Sequence, residues 1–517
     1  MGFILLFKDK SSLQTVIFMG KEFAVSELKK LAGQTLWYGL PSITSRFLGY
    51  LMNLSLPLLF REPAVTADLT LIYAAIAFLN IIFTYGVETA YFRFSQEVDR
   101  TRLYSTLSLA LFCTTFLLSA LLWINQDALA AWGNLEQNKG FIHWMIGVLF
   151  FDTLSTLAFA KLRQENRPKR FAFAKLTSVA VNIAVVLFFL GIQPAYFPKL
   201  EIGIDRGIEW YLIGNFLGSI CTFLLLFPEL KQIQFNFDRA LFKQVMQYSW
   251  PLVIVGMGGI VNDMLSRLLY QFVVDLPTEQ AKHELGVFGN IIRLSIVITI
   301  AIQAFRMAAE PFFFNKSKEQ EAPRTYARIM KFFVLVCCIL FLGVSLYIDV
   351  AAWFFDAIGR ERWKEGLYVV PLFAMANILL GIYYNLSIWY KLTNRNLTGA
   401  FITLGGALIT IALTIVLIPK YHYWGAAGAS FACYFFMMVT SYVLGQKHYP
   451  VPYPVKKIIF YLLACGFIYV THRTLIGWWP NRLFNLGAAT VLFTSFILLI
   501  SRTEKEEWSK LKASFTK

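Results

Sequence analysis

The hydrophobic pattern repeats along the whole chain in windows of about 20 apolar residues, separated by short polar runs. Fourteen such windows are present, at roughly 36–60, 69–94, 104–125, 141–163, 171–192, 208–228, 249–273, 285–314, 326–348, 366–390, 398–418, 424–445, 456–475 and 483–501. Each is long enough to cross a hydrocarbon layer about 30 Å thick as a helix. The pattern predicts an all-α polytopic membrane protein of 14 transmembrane helices. Tyr248-Ser-Trp-Pro251 echoes Tyr38-Gly-Leu-Pro41 at a helix start, and Glu310-Pro-Phe-Phe-Phe echoes Glu88-Thr-Ala-Tyr-Phe at the end of the next helix, in the same order. These echoes predict two six-helix lobes in parallel pseudo-repeat plus two C-terminal helices, with a cavity at the lobe interface as in transporters. The expected boundaries are an N-terminal segment 1–32, an N-lobe 33–228, an inter-lobe loop 229–247, a C-lobe 248–446, the last two helices at 455–501 and a tail 502–517.

Composition agrees: 57% of residues are hydrophobic, 15% are charged, and mean hydropathy is +0.57. The net charge of +16 does not call for nucleic acid, because its distribution is a topology signal. With both termini cytoplasmic, the inner segments hold about 29 Lys and Arg and the outer loops about 11. The basic excess also favours anionic lipid on the inner face. The six cysteines all fall inside apolar windows, with no CxxC pattern. The first residues carry no signal-peptide pattern, and Met19 is an alternative start.

Polar residues inside the windows are the informative exceptions. Arg46 lies about ten residues into the first helix, roughly 15 Å deep. An isolated guanidinium there costs on the order of 3 kcal/mol, so it must face a polar cavity or a partner. Arg46, Tyr50, Asn53 and Pro57 share one stripe, with Gly49 beside it. Glu88, near the inner end of helix two, reads as a proton site or as the partner of Arg93. Asp152, at the middle of helix four, lies at the depth of Arg46 and would pair with it, either permanently or until an anionic substrate arrives. Helices five and six add Lys175, Asn182 and Asn215. In the second half Asp263 and Arg267 are four apart, as are Arg306 and Glu310, whereas Arg293 has no such partner on its own helix. Arginines are thus expected along the interface at several depths, against the alternative of a set of salt bridges holding the bundle. The amphipathic stretch 349–366, with Trp353, Phe354 and Phe355 opposite Arg360, Arg362 and Lys364, is expected to lie on the outer membrane interface. The last two helices read as peripheral.

No GxxxxGK[ST] loop, HExxH pattern or other metal spacing is present, so no nucleotide, metal or cofactor is expected beyond coupling Na⁺ or H⁺. No loop is long enough for a catalytic domain, so the reading is a transporter and not an enzyme.

Three stretches carry a resemblance: Tyr38-Gly-Leu-Pro-Ser-Ile-Thr-Ser-Arg46 with the following Leu48-Gly-Tyr-Leu51, Phe83-Thr-Tyr-Gly-Val-Glu-Thr-Ala-Tyr-Phe-Arg-Phe94, and Gln303-Ala-Phe-Arg-Met-Ala-Ala-Glu-Pro-Phe312. With them the chain resembles bacterial polysaccharide biosynthesis proteins of the oligosaccharide flippase type, in the multidrug/oligosaccharidyl-lipid/polysaccharide exporter superfamily. The resemblance implies a V-shaped monomer in the bacterial inner membrane that flips an undecaprenyl-diphosphate-linked glycan, such as an O-antigen or capsule unit, to the periplasmic leaflet. A glycan polymerase or ligase would then be a partner. In the related lipid II flippases, arginines on helices one and eight contact the diphosphate; Arg46 and Arg293 match these by helix and depth, Arg267 is a further candidate, and Tyr50 and Asn53 stand beside Arg46. The same resemblance leaves a lipid II flippase and a Na⁺- or H⁺-coupled multidrug extruder as alternatives. Glu88, Asp152, Asp263, Arg306 and Glu310 are the candidate coupling or salt-bridge residues.

Overall fold

The computed structural model describes residues 44, 47–52, 54–95, 97–165, 167–193, 207–317, 319–393 and 395–505. Among them the regular structure is helical throughout, without a strand. In hydrocarbon every backbone N–H and C=O must find its partner within the chain, and a helix does this locally. Ten helices are long and apolar enough to cross a membrane. An eleventh span is a pair, Arg239–Pro251 and Gly256–Val273, bent by 46° where Pro251 removes a backbone donor. The 53-residue stretch Asn396–His448 is two helices meeting at His422, whose φ of 51° breaks the run. With the shorter apolar helices Phe47–Leu59 and Glu209–Leu225, the pattern of fourteen is recovered.

These are labelled α1 (Phe47–Leu59), α2 (Pro63–Phe94), α3 (Arg100–Ile124), α4 (Gly140–Gln164), α5 (Pro168–Ile192), α6 (Glu209–Leu225), α7 (Arg239–Val273), α8 (Thr278–Lys316), α9 (Ala322–Leu346), α10 (Val370–Leu386), α11 (396–421), α12 (423–448), α13 (Val455–Trp478) and α14 (Arg482–Thr503). Within the first set α5 packs on α6 and α4 on both α3 and α6; in the second, α7 and α10 pack on α11 and α12, and α8 on α10. The last two helices lie against α9. α7 begins at Arg239, so half of the expected inter-lobe loop is helix; Asp238 caps it by accepting hydrogen bonds from the N–H groups of Ala240 and Leu241, both at 3.0 Å. α2 is interrupted at Tyr85 and Gly86, where φ is 29° and 74°.

The two sets are locked together at one end. The Trp363 indole donates to the carbonyl oxygens of Phe60 (3.2 Å) and Arg61 (3.1 Å), and Arg360 Nε to that of Pro57 (3.1 Å). Arg362 pairs with Glu62 at 2.8 Å and Lys282 approaches Asp68 at 3.6 Å. Trp363 is fully buried and Phe355 nearly so. Within the stretch 349–366, Phe355 and Trp363 therefore meet protein at this seal, while Trp353 is half-buried and Phe354 stays exposed. Beside the seal α8 comes into backbone contact with the start of α2. A Cβ at Gly286 would sit 2.0 Å from the Pro63 carbonyl oxygen, and one at Gly289 2.6 Å from Thr70 Oγ1. At the opposite end the start of α7 reaches back to the first set, where Tyr248 packs on Phe94 and lies under the Arg93 guanidinium at 4.6 Å.

The last helix is pinned by Glu504, buried where it accepts from Lys331 of α9, from Lys457 (2.9 Å) and from Tyr461 (2.7 Å) of α13. Burial raises its carboxyl pKa, but those hydrogen bonds together outweigh it and hold the group below its ordinary value.

Two outcomes are expected. Gly286→Ala will lower the thermal unfolding midpoint in detergent by the equivalent of about 1–3 kcal/mol, whereas Gly343→Ala, which meets nothing within 4 Å, leaves it unchanged or raises it. A carboxyl held low by folding gives its full stabilisation above the unfolded value of about 4.3 and loses it as pH falls through the folded value. The unfolding midpoint of the wild type will therefore fall more steeply on acidification below about pH 4 than that of Glu504→Gln, which starts lower at neutral pH.

Candidate functional site

A cavity of about 270 Å³ lies between the two sets, just inside the seal. From the first set come Gly49, Tyr50 and Met52 of α1, Thr70 and Tyr73 of α2, Asn182 of α5, and Tyr211 and Asn215 of α6. From the second come Arg267 of α7 and Gly289, Ile292, Arg293 and Ile296 of α8. The close approach at Gly289 is what brings Arg293, one turn further along α8, against the first set.

Arg293 is 9% exposed, and its Nη1 is buried without a hydrogen-bond partner. Its electrostatic neighbours are the Tyr211 hydroxyl and a second cation, Arg267. Arg267 reaches Asp263 at 3.4 Å, a long contact, and its own Nε is buried without a partner. Asp263 itself is half exposed and is not part of the cavity wall. Two guanidinium groups therefore share one cavity with no carboxylate among its described lining residues. Facing them is a neutral polar row: Asn182 donates to Asn215, and Asn215 to the Tyr73 hydroxyl. Such a chamber suits an anion with several oxygens, since guanidinium N–H groups bind phosphate oxygens as a fork in a site of low dielectric.

Of the residues singled out from sequence, Tyr50, Arg267 and Arg293 meet here. Arg46, Asn53 and the Glu310 side chain lie outside the described residues. Asp152 is on α4, with its carboxylate bonded to Ser219 of α6 and close to Lys175 of α5; its expected pairing with Arg46 also falls outside the described residues. Glu88 pairs with Arg163 of α4 and not with Arg93. The reason is spacing: Arg93 is five residues on, about 140° around the helix, and it covers Tyr248 instead. Arg306 lies over the Tyr384 ring at 4.7 Å, in a separate small pocket. Arg167 and Arg170, read from sequence as a topology signal, also hold the buried Glu229 at 3.0 and 2.9 Å. The residues that sequence reasoning missed are Thr70, Tyr73 and Tyr211; the three-residue spacing of Thr70 and Tyr73 on one face of α2 was the available signal.

A further cavity, of about 540 Å³ and almost wholly apolar, runs between α9, α10, α12 and α13 and is lined by residues such as Leu379, Phe431, Phe435, Met438 and Leu463. No group of three or more His, Cys, Asp or Glu side chains that could hold a metal is found among the described residues.

No family model matches the sequence, and no curated protein matches it. Solved structures do. The chain is similar to the lipid II flippase MurJ in an inward closed conformation, with a TM-score of 0.69 at 12% identity, over 90% of this chain and 99% of that one. The two chains share one fold. This chain is also similar to a multidrug resistance MATE family transporter of the MOP superfamily in an inward-facing conformation (TM-score 0.57, 12% identity, 84% and 94% covered) and to a MATE structure in a straight conformation (0.54, 13%, 80% and 95%). The chain is therefore a multi-pass membrane protein whose helices follow the plan of these transporters.

Among the described residues Arg293 has no ion-pair partner, so its removal relieves a desolvation cost instead of breaking an ion pair. Arg293→Met is accordingly expected to raise the unfolding midpoint of the purified protein, and Arg267→Met to leave it near the wild-type value. A fall of several degrees for Arg293→Met would mark that arginine as a structural counter-ion.

Proposed function

We propose that the protein is a flippase that moves an undecaprenyl-diphosphate-linked oligosaccharide, of the O-antigen or capsule type, from the cytoplasmic to the periplasmic leaflet of a bacterial inner membrane. The observation that carries this reading is the pair Arg267 and Arg293, lining an inter-lobe cavity without a matching carboxylate among the described residues of its wall. A diphosphate supplies the negative charge that such a chamber lacks, and the Asn182, Asn215 and Tyr73 row offers neutral hydrogen bonds to the adjoining sugar. The isoprenoid tail needs only an apolar path, and the groove between α9, α10, α12 and α13 has that character. With one end sealed through Trp363, Arg360 and Arg362, entry is from the other side, and transport follows by exchange of the sealed end. No bond is made or broken in the cargo. Asp263 and Asp152 are the candidates for coupling Na⁺ or H⁺, and both termini are cytoplasmic by the basic-residue count.

The lipid II flippase reading differs in the glycan alone and is supported by the TM-score of 0.69 to MurJ. A cation extruder would want carboxylates in the cavity wall, which here carries arginines.

The test is complementation in two bacterial strains, one depleted of its O-antigen flippase and one of its lipid II flippase, with wild type, Arg267→Ala and Arg293→Ala at matched membrane levels. Rescue of the first strain is expected, and each substitution is expected to reduce it at least tenfold, the scale of losing one charge-assisted hydrogen-bonded contact to phosphate. Rescue of the second strain alone assigns lipid II. Full activity of both variants would overturn the diphosphate reading.

A further inference from the structure

On the sealed end of the molecule, but on the flank formed by α13 and α14, lies a polar cavity of about 260 Å³ that plays no part in the inter-lobe site. Its wall includes Asp349 and Trp353 of the short helix Ile348–Ala357, Tyr368, Arg473, Asn485 and Arg482. Asp349 is fully engaged, accepting from Arg473 Nη1 at 3.1 Å, from Asn485 Nδ2 at 2.9 Å and from the Tyr368 hydroxyl at 3.4 Å. It neutralises Arg473, whose guanidinium also lies over the Tyr368 ring at 4.2 Å. Arg482 has no ion pair among the described residues; its guanidinium stands 5.6 Å from the Trp353 ring centre. It is also the first residue of α14, a helix of 22 residues, so the positive end of the helix dipole adds to its charge. One carboxylate against two guanidinium groups and a helix start leaves this cavity with a positive excess.

What surrounds it is equally specific. Trp478, Trp479 and Leu483 are 72%, 58% and 82% exposed. Tryptophans in such a position belong at the boundary between headgroups and acyl chains, so the cavity opens at headgroup depth with apolar surface on its lipid side. We infer that it is a binding site for the phosphate of an anionic phospholipid headgroup. The phosphate oxygens take the free N–H groups of Arg482 and those of Arg473 turned away from Asp349, while the acyl chains lie against Leu483 and Trp478. The helix that carries Asp349 and Trp353 runs on into Arg360, Arg362 and Trp363, so a lipid bound here would brace the element that closes the inter-lobe cavity.

The test is native mass spectrometry of the purified full chain in detergent, with phosphatidylglycerol and phosphatidylcholine of identical acyl chains added in equal amounts and inorganic phosphate as a competitor. Phosphatidylglycerol adducts are expected to exceed phosphatidylcholine adducts, and Arg482→Ala and Arg482→Gln to cut them about fivefold. Arg502→Ala, an exposed arginine at the far end of α14, is expected to change nothing, and millimolar inorganic phosphate to displace the lipid. Equal retention of the two lipids, or wild-type retention by both Arg482 variants, would overturn the assignment. So would binding of inorganic phosphate by a protein that ignores phosphatidylglycerol.

Discussion

The inter-lobe cavity depends on one close approach, that of α8 to the start of α2. Two glycines one turn apart allow it: Gly286 lies against the backbone of Pro63, and Gly289 against the side chain of Thr70. The energetic logic is packing, since helices in lipid gain nothing from hydrophobic burial against one another and associate through tight contact and hydrogen bonds. Once α8 is seated, Arg293 is carried into the space behind the contact, where no acidic residue among the described ones pairs with it. Close packing at the seal and an uncompensated charge behind it are two results of the same geometry.

An uncompensated guanidinium is costly, whereas three buried carboxylates elsewhere are each held by more than one donor. Glu229 is held by two arginines, Glu504 by two lysines and a tyrosine, Asp349 by an arginine and an asparagine. Each of these networks joins helices that must move as one piece. The cations of the inter-lobe cavity join nothing, which is how a binding chamber differs physically from a structural ion pair.

Much of this was legible in the chain itself. A charge inside an apolar window stands out, and for that reason Arg267 and Arg293 were singled out without coordinates. Tyr73 and Tyr211 were not, because a tyrosine in a membrane helix is equally at home in a core, at an interface or on a cavity wall. The stretch 349–366 was legible only in part: an amphipathic pattern specifies that one face is apolar but not what covers it, and Phe355 and Trp363 meet protein where Phe354 stays exposed. The pairing of Glu88 shows the limit of one-dimensional spacing, since Arg93 is its neighbour in sequence and Arg163 its neighbour in space. The echo between the two halves gave the parallel plan, but not how far α7 extends before it enters the membrane.

The seal has a property that follows from its acceptors. Trp363 and Arg360 donate to the carbonyl oxygens of Pro57, Phe60 and Arg61, the groups that any helix leaves without an internal partner at its C-terminal end. These oxygens lie where the chain leaves the membrane, so when the lobes part, water replaces the indole and the guanidinium one for one. The latch is thus an exchange of hydrogen bonds and not a loss of them, and closure competes with hydration of a helix end at nearly equal enthalpy. A transporter gains speed from such near balance. The same oxygens also cannot be deleted by changing any side chain of α1, so the strength of this gate is set from the other lobe alone.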